Sequence, residues 1–413
     1  MREMKDSGVE WLGEVPVGWG FDRFGAFFTL RNVKVSDEEY APLSVTRGGV
    51  VPQLSHVAKS DDHANRKLVC KGDFAINSRS DRRNSCGFAP LDGSVSLINT
   101  ICVPRGEFES RYFGYLFDSA QWSDEFYSWG HGIVADLWTT GWNDMKKILL
   151  PVPPLDEQHR IADYLDEKCA EIDRAVSAAE QSIEEYKAYK NSVVYRAVTK
   201  GLHADAPMKD SGVEWLGEVP VGWGLRQVGQ LADQTKTPNE GMVESNLLSL
   251  SYGKIKRRDI YATDGLLPAS FETYNIIEPD DIVFRFTDLQ NDQKSLRVGR
   301  VTERGIITSA YVTVRPFDPS CSRFLYYTLH AYDLRKGFYG MGAGVRQGLK
   351  WQEAKYIKLP WPGNVDRGRI ADYLDERCSQ IDAAIAAKQV IIADLKAYKQ
   401  SLIYETVTGK REV

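Results

Sequence analysis

The chain has 413 residues, of which 43% are hydrophobic and 26% are charged, a composition typical of folded globular proteins rather than disordered or fibrous ones. This length predicts two or three domains. The formal net charge of −5 excludes a nucleic-acid binder that is basic along its whole length, but it does not exclude a local basic surface.

Cysteine usage and hydropathy indicate the compartment. The six cysteines are scattered without a CxxC pair, so we expect reduced thiols and neither a disulfide framework nor a zinc ribbon. The first ten residues, MREMKDSGVE, lack the apolar core of a secretion signal, and no stretch approaches 18 apolar residues. The sequence therefore predicts a cytoplasmic protein that does not enter a membrane.

An internal repeat organises the chain. Residues 4–20 read MKDSGVEWLGEVPVGWG, and all seventeen residues recur at 208–224. A second repeated block, 160–199 and 369–408, is identical at 22 of 40 positions. Because a solenoid needs at least three copies, these two copies predict a tandem repeat with pseudo-twofold symmetry.

The second repeated block predicts two long helices. Residues 157–199 contain neither proline nor glycine, and their apolar positions alternate by four and three residues, as in a coiled coil. Two apolar rows require one partner helix, so we predict that the two helices, each roughly 60 Å long, pair with each other antiparallel. Asp156 and Asp366 are the predicted N-caps, and Gly201 and Gly409 the predicted C-terminal glycines. The predicted seam residues are Leu165, Ile172, Val176, Ile183, Lys190, Leu374, Ile381, Ile385, Ile392 and Lys399.

Lys190 and Lys399 occupy the same position of the predicted seam. A polar seam residue can fix the register of a coiled coil at a cost in stability. Alternatively, the lysine stem packs in the seam while its ammonium group reaches solvent. The sequence favours this second interpretation.

The segments between the repeated blocks, residues 21–155 and 225–365, are much less alike. Each reads as several short strands, then a helix near 108–120 or 321–333, then a glycine-rich loop at 126–133 or 338–345. The predicted fold class is α+β, with two strand-rich domains separated by two long helices. The predicted domains are 1–155 and 201–365, each with its constant opening segment, and the helical regions 156–200 and 366–413.

Charge within these inserts suggests DNA contact. Residues 21–150 carry 15 Lys and Arg against 16 Asp and Glu, whereas residues 225–360 carry 19 against 15. Arg, Lys, Asn and Gln pair with base edges in the major groove, and basic side chains also bind phosphates. The candidate DNA-binding residues are Arg47, Asn77, Arg79, Arg82, Arg83, His131, Lys254, Lys256, Arg257, Arg258, Arg285, Gln290, Asn291, Lys294, Arg346 and Gln347.

Motifs for catalysis, cofactors and metals are weak or missing. The sequence contains no Walker loop, no HExxH and no GxSxG, so we predict no catalytic residue, cofactor site or metal site in this chain. One loose nuclease pattern joins Asp280, Asp292 and Lys294. Against it, the neighbouring Asp281 aligns with Asp73 as a residue that precedes a strand. A metal-dependent nuclease and a protein-binding coiled-coil scaffold remain the alternatives.

Three motifs together resemble the specificity (S) subunits of type I restriction-modification systems. They are the opening block MKDSGVEWLGEVPVGW, the junction LLPVPPLDEQHRIADYLDE and the repeated long helix. The similarity covers essentially the whole chain. The second junction, KLPWPGNVDRGRIADYLDE, departs from the first because it lacks PPLDEQ, which puts the local symmetry in question.

This resemblance implies a function in bacterial or archaeal defence against phage. The inserts would be target recognition domains, each reading one half of a split, asymmetric sequence in double-stranded DNA, and the paired helices would fix the spacer. Two methyltransferase (M) subunits would supply S-adenosylmethionine and methylate adenine. Two restriction (R) subunits would supply ATP- and Mg-dependent translocation and cleavage. The chain itself would be a non-catalytic specificity subunit.

Overall fold

The computed structural model describes residues 2–53, 63, 65–79, 83–133, 138–260, 268, 270–289, 292, 295–341 and 348–413. The chain divides into two compact units. Unit 1 comprises Met1–Glu180 and Gln389–Val413, and unit 2 comprises Gln181–Lys388. Each unit therefore contains one insert together with part of each long helix.

Two of the helices are much longer than the others, as the proline- and glycine-free blocks predict. Heptad spacing without an internal proline lets each run for more than forty residues, and the second of them includes one glycine, Gly368, near its start. The α-helices are α1 (Phe24–Phe27), α2 (Ser110–Asp118), α3 (Ala120–Ser128), α4 (Trp142–Met145), α5 (Leu155–Lys200), α6 (Ser322–Leu334), α7 (Trp351–Ala354) and α8 (Asn364–Val407).

The ends of the long helices agree only partly with the prediction. Asp156 and Asp366 are not N-caps, because both lie inside the first helical turn, where a carboxylate still interacts favourably with the helix dipole. The C-terminal glycines are confirmed. Gly201 and Gly409 have φ angles of 77° and 74°, the left-handed conformation that ends many helices.

The two long helices pair antiparallel. In unit 1, Ile172 and Val176 near the start of α5 pack in one core with Leu402 near the end of α8. In unit 2, Val198 near the end of α5 packs in one core with Leu374 near the start of α8. Of the ten predicted seam residues, Leu165, Ile172, Val176, Ile183, Leu374 and Ile381 are buried, and Lys190, Ile385, Ile392 and Lys399 are half-buried.

Unit 1 is built around an antiparallel sheet of four strands, which lie in the order Cys86–Phe88, Phe74–Asn77, Asn99–Pro104 and Phe28–Arg31. Cys102 on the third of these strands lies opposite Phe74 on one side and Leu30 on the other. The strands of this unit are β1 (Met4–Asp6), β2 (Glu14–Pro16), β3 (Gly20–Arg23), β4 (Phe28–Arg31), β5 (Lys34–Val35), β6 (Leu43–Thr46), β7 (Gly49–Pro52), β8 (Arg66–Val69), β9 (Phe74–Asn77), β10 (Cys86–Phe88), β11 (Gly93–Val95), β12 (Asn99–Pro104) and β13 (Leu149–Val152).

Unit 2 repeats this arrangement with a sheet of four strands, which lie in the order Ala232–Thr235, Val312–Pro316, Ile282–Phe284 and Val298–Arg300. Val314 in its second strand pairs with Gln234 and Ile282. The strands of this unit are β14 (Met208–Asp210), β15 (Glu218–Pro220), β16 (Gly224–Gln227), β17 (Ala232–Thr235), β18 (Leu248–Ser251), β19 (Lys254–Arg257), β20 (Asn275–Ile277), β21 (Ile282–Phe284), β22 (Val298–Arg300), β23 (Gly305–Ile307), β24 (Val312–Pro316) and β25 (Lys358–Trp361).

A buried aspartate precedes the same strand in both sheets, as the alignment of Asp73 with Asp281 predicts. Arg31 donates to Asp73 from Nε at 2.7 Å and from Nη2 at 3.1 Å. Arg315 donates to Asp281 at 2.8 and 2.9 Å in the same bidentate manner. The aspartate is thus common to both units, whereas the arginine that neutralises it comes from different strands.

The glycine-rich loop predicted at residues 126–133 is partly wrong. Phe126 and Tyr127 belong to α3, where their rings pack into the core of unit 1, and only the residues after Ser128 leave the helix. All six cysteines are free thiols. Within the part of the chain that the structure describes, no helix has both the length and the apolar character needed to cross a membrane.

Candidate nucleic-acid interface

The insert of unit 1 is docked on the long helices through α2. Arg111 at the start of α2 donates to Asp163 at 2.8 Å and to Asp166 at 2.7 Å, both on α5. The Tyr115 hydroxyl donates to Asp166 at 2.7 Å. Carboxylates three residues apart lie on one face of a helix, so a single guanidinium can reach both.

Unit 2 repeats this contact with equivalent residues. Arg323 on α6 donates to Asp372 at 2.7 Å and to Asp375 at 2.8 Å, both on α8. The Tyr327 hydroxyl donates to Asp375 at 2.7 Å. We call each set of one arginine, one tyrosine and two aspartates an insert clamp. Our sequence analysis missed both clamps, although the aspartates lie in the repeated RIADYLDE motif and were the available signal.

Unit 1 brings Arg47 and Arg83 together. Arg47 lies in the exposed turn between β6 and β7, and its Nε donates to the backbone carbonyl of Arg83 at 3.2 Å. The Arg83 guanidinium pairs with Asp124 at 2.7 Å and lies 5.3 Å from the ring centroid of Tyr127. These contacts hold two predicted DNA-binding arginines side by side on the surface.

Arg79 and His131 meet through a shared partner. Both form isolated β-bridges with Thr139, so they lie in neighbouring segments of backbone. The His131 imidazole is exposed, with its Nε2 atom 3.6 Å from Asp144. Asn77 is different, because it is buried and its side-chain oxygen accepts the backbone N–H of Arg79. Asn77 therefore supports the backbone of this turn. The remaining candidate of this unit, Arg82, lies outside the described residues.

The basic cluster KIKRR forms the second strand of a hairpin in unit 2. The Lys254 side chain is exposed but also forms an ion pair, because its Nζ atom lies 3.0 Å from Asp382 on α8. Arg257 pairs with Glu303, with Nε donating at 2.8 Å. Lys256 and Arg258 are exposed at the same hairpin. Of the four residues, Lys256 has the least engaged side chain, since it makes no ion pair with any described residue.

Arg285 stands at the start of a loop held by a buried arginine. Its Nη2 atom lies 3.6 Å from Asp292. The side chain of Arg297, fully buried, donates to the carbonyls of Thr287 at 2.9 Å and Asp288 at 3.3 Å, which fixes the path of this loop. The remaining candidates Gln290, Asn291, Lys294, Arg346 and Gln347 lie outside the described residues.

Known proteins are similar to this chain in sequence and in fold. No family model matches the chain. A Methanocaldococcus jannaschii protein described as the MjaX specificity subunit of a type I restriction enzyme is 23% identical over 277 residues, which are 65% of this chain. The match spans 60% of that relative's own length.

Two solved structures share the fold. A structure that describes complex assembly and conformational transition of the type I restriction-modification system superposes with a TM-score of 0.71 at 16% identity, covering 96% of this chain and 99% of the other. The chain has the fold of a type I specificity subunit. The HsdS subunit from Thermoanaerobacter tengcongensis gives a TM-score of 0.51 at 18% identity, covering 96% of this chain and 98% of its own.

Within the specificity-subunit fold, the residues of the loose nuclease pattern have other partners. Asp280 accepts from Arg300 at 2.7 Å, and Asp292 lies beside Arg285. Lys294 is outside the described residues. In the ranges that the structure describes, no group of three histidine, cysteine, aspartate or glutamate residues is arranged to hold a metal ion.

One exposed aromatic residue of the specificity-subunit fold was missed in our sequence analysis. Tyr252 forms the tip of the β18–β19 hairpin, is 71% exposed and has a φ angle of 47°. It lines a cleft of about 520 Å³ together with Lys187 and Asn191 of α5. The available signal was the dipeptide Tyr252–Gly253 between two strand-like runs, because glycine in that position is typical of tight hairpin turns.

Proposed function

We propose that this chain is the DNA sequence-specificity subunit of a type I restriction-modification complex. It recognises a bipartite, asymmetric target, with residues 1–155 reading one half-site and residues 201–365 reading the other. The observation that carries this proposal is the pair of units that share one fold outline and one insert clamp but present different basic loops. Two different surfaces on one frame suit two different half-sites.

In this proposal the DNA contacts come from basic residues of both inserts that are exposed or, for Arg79 and Arg285, half-buried. In unit 1 they are Arg47, Arg79, Arg83 and His131, and in unit 2 they are Lys256, Arg257, Arg258 and Arg285. Arg82, Gln290, Asn291, Lys294, Arg346 and Gln347 stay in the set as predictions from the sequence. Asn77 supports its loop from inside, so its contribution is indirect.

The chemistry is delegated to partner subunits. Two methyltransferase subunits would bind the repeated frame, supply S-adenosylmethionine and methylate an adenine after it is flipped out of the stack. Two restriction subunits would supply ATP- and Mg-dependent translocation and cleavage. The repeated frame suits protein partners, since residues 156–200 carry 7 Lys and Arg against 10 Asp and Glu. The chain itself is not catalytic in this scheme.

Sequence preference of the assembled complex tests the proposal. Methylation mapping of the host genome should reveal one split adenine motif, and its absence would contradict the assignment. A complex that binds DNA without any sequence preference would instead support a protein-binding scaffold. Nicking of DNA by the isolated chain with Mg²⁺ or Mn²⁺, lost in Lys294→Ala, would support the nuclease alternative.

Paired substitutions test the division of labour between the units. Arg47→Ala should relax sequence preference in one half-site only, and Lys256→Ala should relax it in the other half-site only. The measurement is methylation of a substrate library in which each half-site is varied separately. Arg174→Ala, an exposed arginine on α5, is the control that removes the same charge away from both inserts. Equal relaxation of both half-sites by either insert variant would contradict the assignment.

The helices as a spacer ruler can be tested separately. Removing one heptad from each of α5 and α8 shortens the pair by about 10 Å at 1.5 Å per residue. This equals about three base pairs of B-form DNA at roughly 34–36 Å per turn. The preferred spacer should shorten while both half-sites stay the same. Altered half-sites with an unchanged spacer would contradict the ruler.

A further inference from the structure

The tip of the β18–β19 hairpin holds an aromatic residue in a costly backbone conformation. Tyr252 and Gly253 have φ angles of 47° and 76°, the two positive values of a type I′ turn. Glycine and asparagine adopt the left-handed region readily, but a bulky side chain rarely does. Residues strained in this way persist only where the surrounding structure fixes them, and they concentrate at functional sites.

The structure fixes this hairpin from the helix side. Lys254, two residues after the tip residue Tyr252, places Nζ 3.0 Å from Asp382 on α8, and the same carboxylate accepts from Lys190 on α5 at 2.7 Å. The Tyr326 hydroxyl also donates to the Gly253 carbonyl at 3.4 Å. Two contacts therefore anchor the base of the turn, Lys190 holds the Asp382 carboxylate that makes one of them, and the Tyr252 ring stays exposed.

The charge state of Asp382 supports this anchor. Burial by itself raises the pKa of this carboxyl, but hydrogen bonds from Lys190 and Lys254 outweigh burial and bring the pKa below its usual value. The carboxylate is therefore charged at neutral pH and holds both ammonium groups.

Unit 1 has the same seam pair without the link to its hairpin. Asp173 occupies the position of Asp382 in the repeat, and Lys399 donates to it at 2.7 Å. The corresponding hairpin tip in unit 1 carries Arg47, which contacts Arg83 instead. In the ranges that the structure describes, Lys399 is the one lysine paired with Asp173. The link from hairpin to helix is thus a property of unit 2.

We propose that Tyr252 is a specificity-determining DNA contact of the second half-site, and that Lys254 is a positioning residue that acts through Asp382. This inference rests on the proposed function. An exposed ring at the tip of a basic hairpin can pack on a thymine methyl group in the major groove, and this contact distinguishes one base pair from another. The Lys254 ammonium group is instead directed towards α8, because its Nζ atom lies 3.0 Å from Asp382.

The first test uses the complex with its methyltransferase subunit and a library of split DNA targets. Tyr252→Ala should relax discrimination at one or two base pairs of the second half-site by roughly tenfold, in the range typical of a lost base contact. Tyr252→Phe should keep most of it, because the ring is retained. A Tyr252→Ala complex with unchanged discrimination at every base pair would overturn the inference.

The second test separates positioning from phosphate binding by the sign of the effect. If Lys254 acts through Asp382, then Lys254→Ala and Asp382→Asn should relax the same base pairs, the double variant should be no worse than either single one, and Lys254→Arg should restore discrimination. If Lys254 binds a phosphate, Lys254→Ala should weaken binding uniformly and lower the salt slope by about one. Asp382→Asn would then strengthen binding, and this result would overturn the positioning role.

The matched control is Asp173→Asn, which breaks the same seam pair in unit 1. It should leave discrimination in the second half-site intact, and relaxation there would show that any seam defect has this effect, against the inference. Thermal unfolding of every variant checks that the fold is retained. A wild-type complex without sequence preference would overturn the proposed function and this inference together. A wild-type complex with a split target and an unaffected Tyr252→Ala variant would overturn the inference alone.

Discussion

The two units build one outline on different interiors. In unit 1 the sheet meets its helices through aromatic rings, with Phe74 and Phe117 at 4.6 Å and Phe117 and Trp122 at 4.7 Å between centroids. Unit 2 also packs aromatic rings, with Phe284 and Phe286 at 4.8 Å, but its interior contains a fully buried arginine, Arg297, whose backbone N–H donates to the buried carboxylate of Asp333. The interior of an insert can thus accommodate a buried charged pair beside its aromatic rings while its strand order stays the same.

The contacts between each insert and the long helices vary far less. Both insert clamps use an arginine, a tyrosine and two aspartates with nearly equal distances. Both junctions also keep a hydrogen bond from an early side chain of the long helix to a proline carbonyl just before it, although the sequence of the second junction diverges. Gln158 donates to the Pro153 carbonyl at 2.9 Å, and Arg367 donates to the Pro362 carbonyl at 2.8 Å. The comparison indicates that docking on the frame is fixed while the inserts diverge.

The largest expected effect breaks the aromatic interior of unit 1. Trp122→Ala should destabilise this unit by about 3–5 kcal/mol, because it removes a large buried side chain and leaves a cavity. Hydrogen exchange of the backbone amides, followed separately for the two units, measures the free energy of opening. Equal loss of protection in unit 2 would show that the units unfold together, and the difference between their interiors would then have no separate consequence.

The second prediction concerns one repeated position at which the pKa of the side chain is shifted in opposite directions in the two units. Asp118 and His330 each lie seven residues after the arginine of the insert clamp. Burial lowers the pKa of His330 to about 4, with Lys190 adding to the effect. Burial raises the pKa of Asp118 to about 6, and Lys399 opposes this rise.

The sign follows from these shifts. The pKa of His330 is lower in the folded protein than its ordinary value of 6.5, which applies to the unfolded chain. The neutral imidazole therefore contributes stability above pH 6.5, and this stability is lost as the pH falls towards 4. Unit 2 should therefore lose on the order of 2 kcal/mol between pH 7 and pH 5 through His330. Asp118 has the opposite sign, since its contribution is present at low pH and is lost as the pH rises through about 6.

Measurement requires variants, because Asp333 in unit 2 also has a pKa raised by burial to about 6 and opposes His330. Hydrogen exchange at pH 7 and pH 5 should show that His330→Gln removes the acid-induced loss in unit 2. Asp118→Asn should remove the gain at low pH in unit 1. A His330→Gln protein with the pH dependence of the wild type would contradict the buried neutral imidazole.

The third prediction compares the glycines that follow the two long helices. A Cβ atom added at Gly409 would lie 2.5 Å from the Pro16 ring, whereas one at Gly201 would lie 3.2 Å from Trp223. Both residues have positive φ, so alanine is strained at either position. Gly409→Ala should cost about 2 kcal/mol and Gly201→Ala about 1 kcal/mol of stability. Urea unfolding measures both, and a larger cost at Gly201 would reverse the expected order.

Sequence patterns predicted the features that depend on local periodicity and repetition. The long helices, their antiparallel pairing and the equivalence of Asp73 with Asp281 follow from heptad spacing and alignment. Contacts between segments distant in the chain were missed, because no local pattern indicates that Arg111 reaches α5. Lys190 and Lys399 were expected to leave the seam for solvent, but each pairs with an aspartate of the opposite helix.

The candidate DNA-binding residues were predicted from their residue type, without knowledge of the residues that their side chains contact in the fold. The sequence favoured Arg, Lys and Asn at turns, and Arg47, Arg79 and Lys256 do lie at the surface or in turns. The same criterion also selected Asn77, which is buried, and Lys254, which pairs with Asp382. It overlooked Tyr252, because an aromatic residue usually signals a core position, and only the backbone conformation of the hairpin exposes it.

The smallest expected effect concerns the insert clamps themselves. Arg111→Ala and Arg323→Ala should each cost about 1 kcal/mol or less, since both guanidinium groups are more than a third exposed and solvent screens their ion pairs. The cost should fall further in 0.5 M NaCl, where the Debye length is shorter than at physiological salt. Double-mutant cycles with Asp166→Asn and Asp375→Asn isolate the two arginine–aspartate interactions.

Equal coupling energies in the two cycles would mean that the repeated frame alone determines docking. Unit 1 offers a reason for inequality, because Arg111 also pairs with Glu109 at 3.2 Å and Glu109 in turn contacts His159. Arg323 has no such acidic neighbour among the described residues beyond Asp372 and Asp375. If removing Glu109 makes the two cycles equal, the difference belongs to the insert; if the cycles remain unequal, the aspartates of α5 and α8 differ despite their identical sequence context.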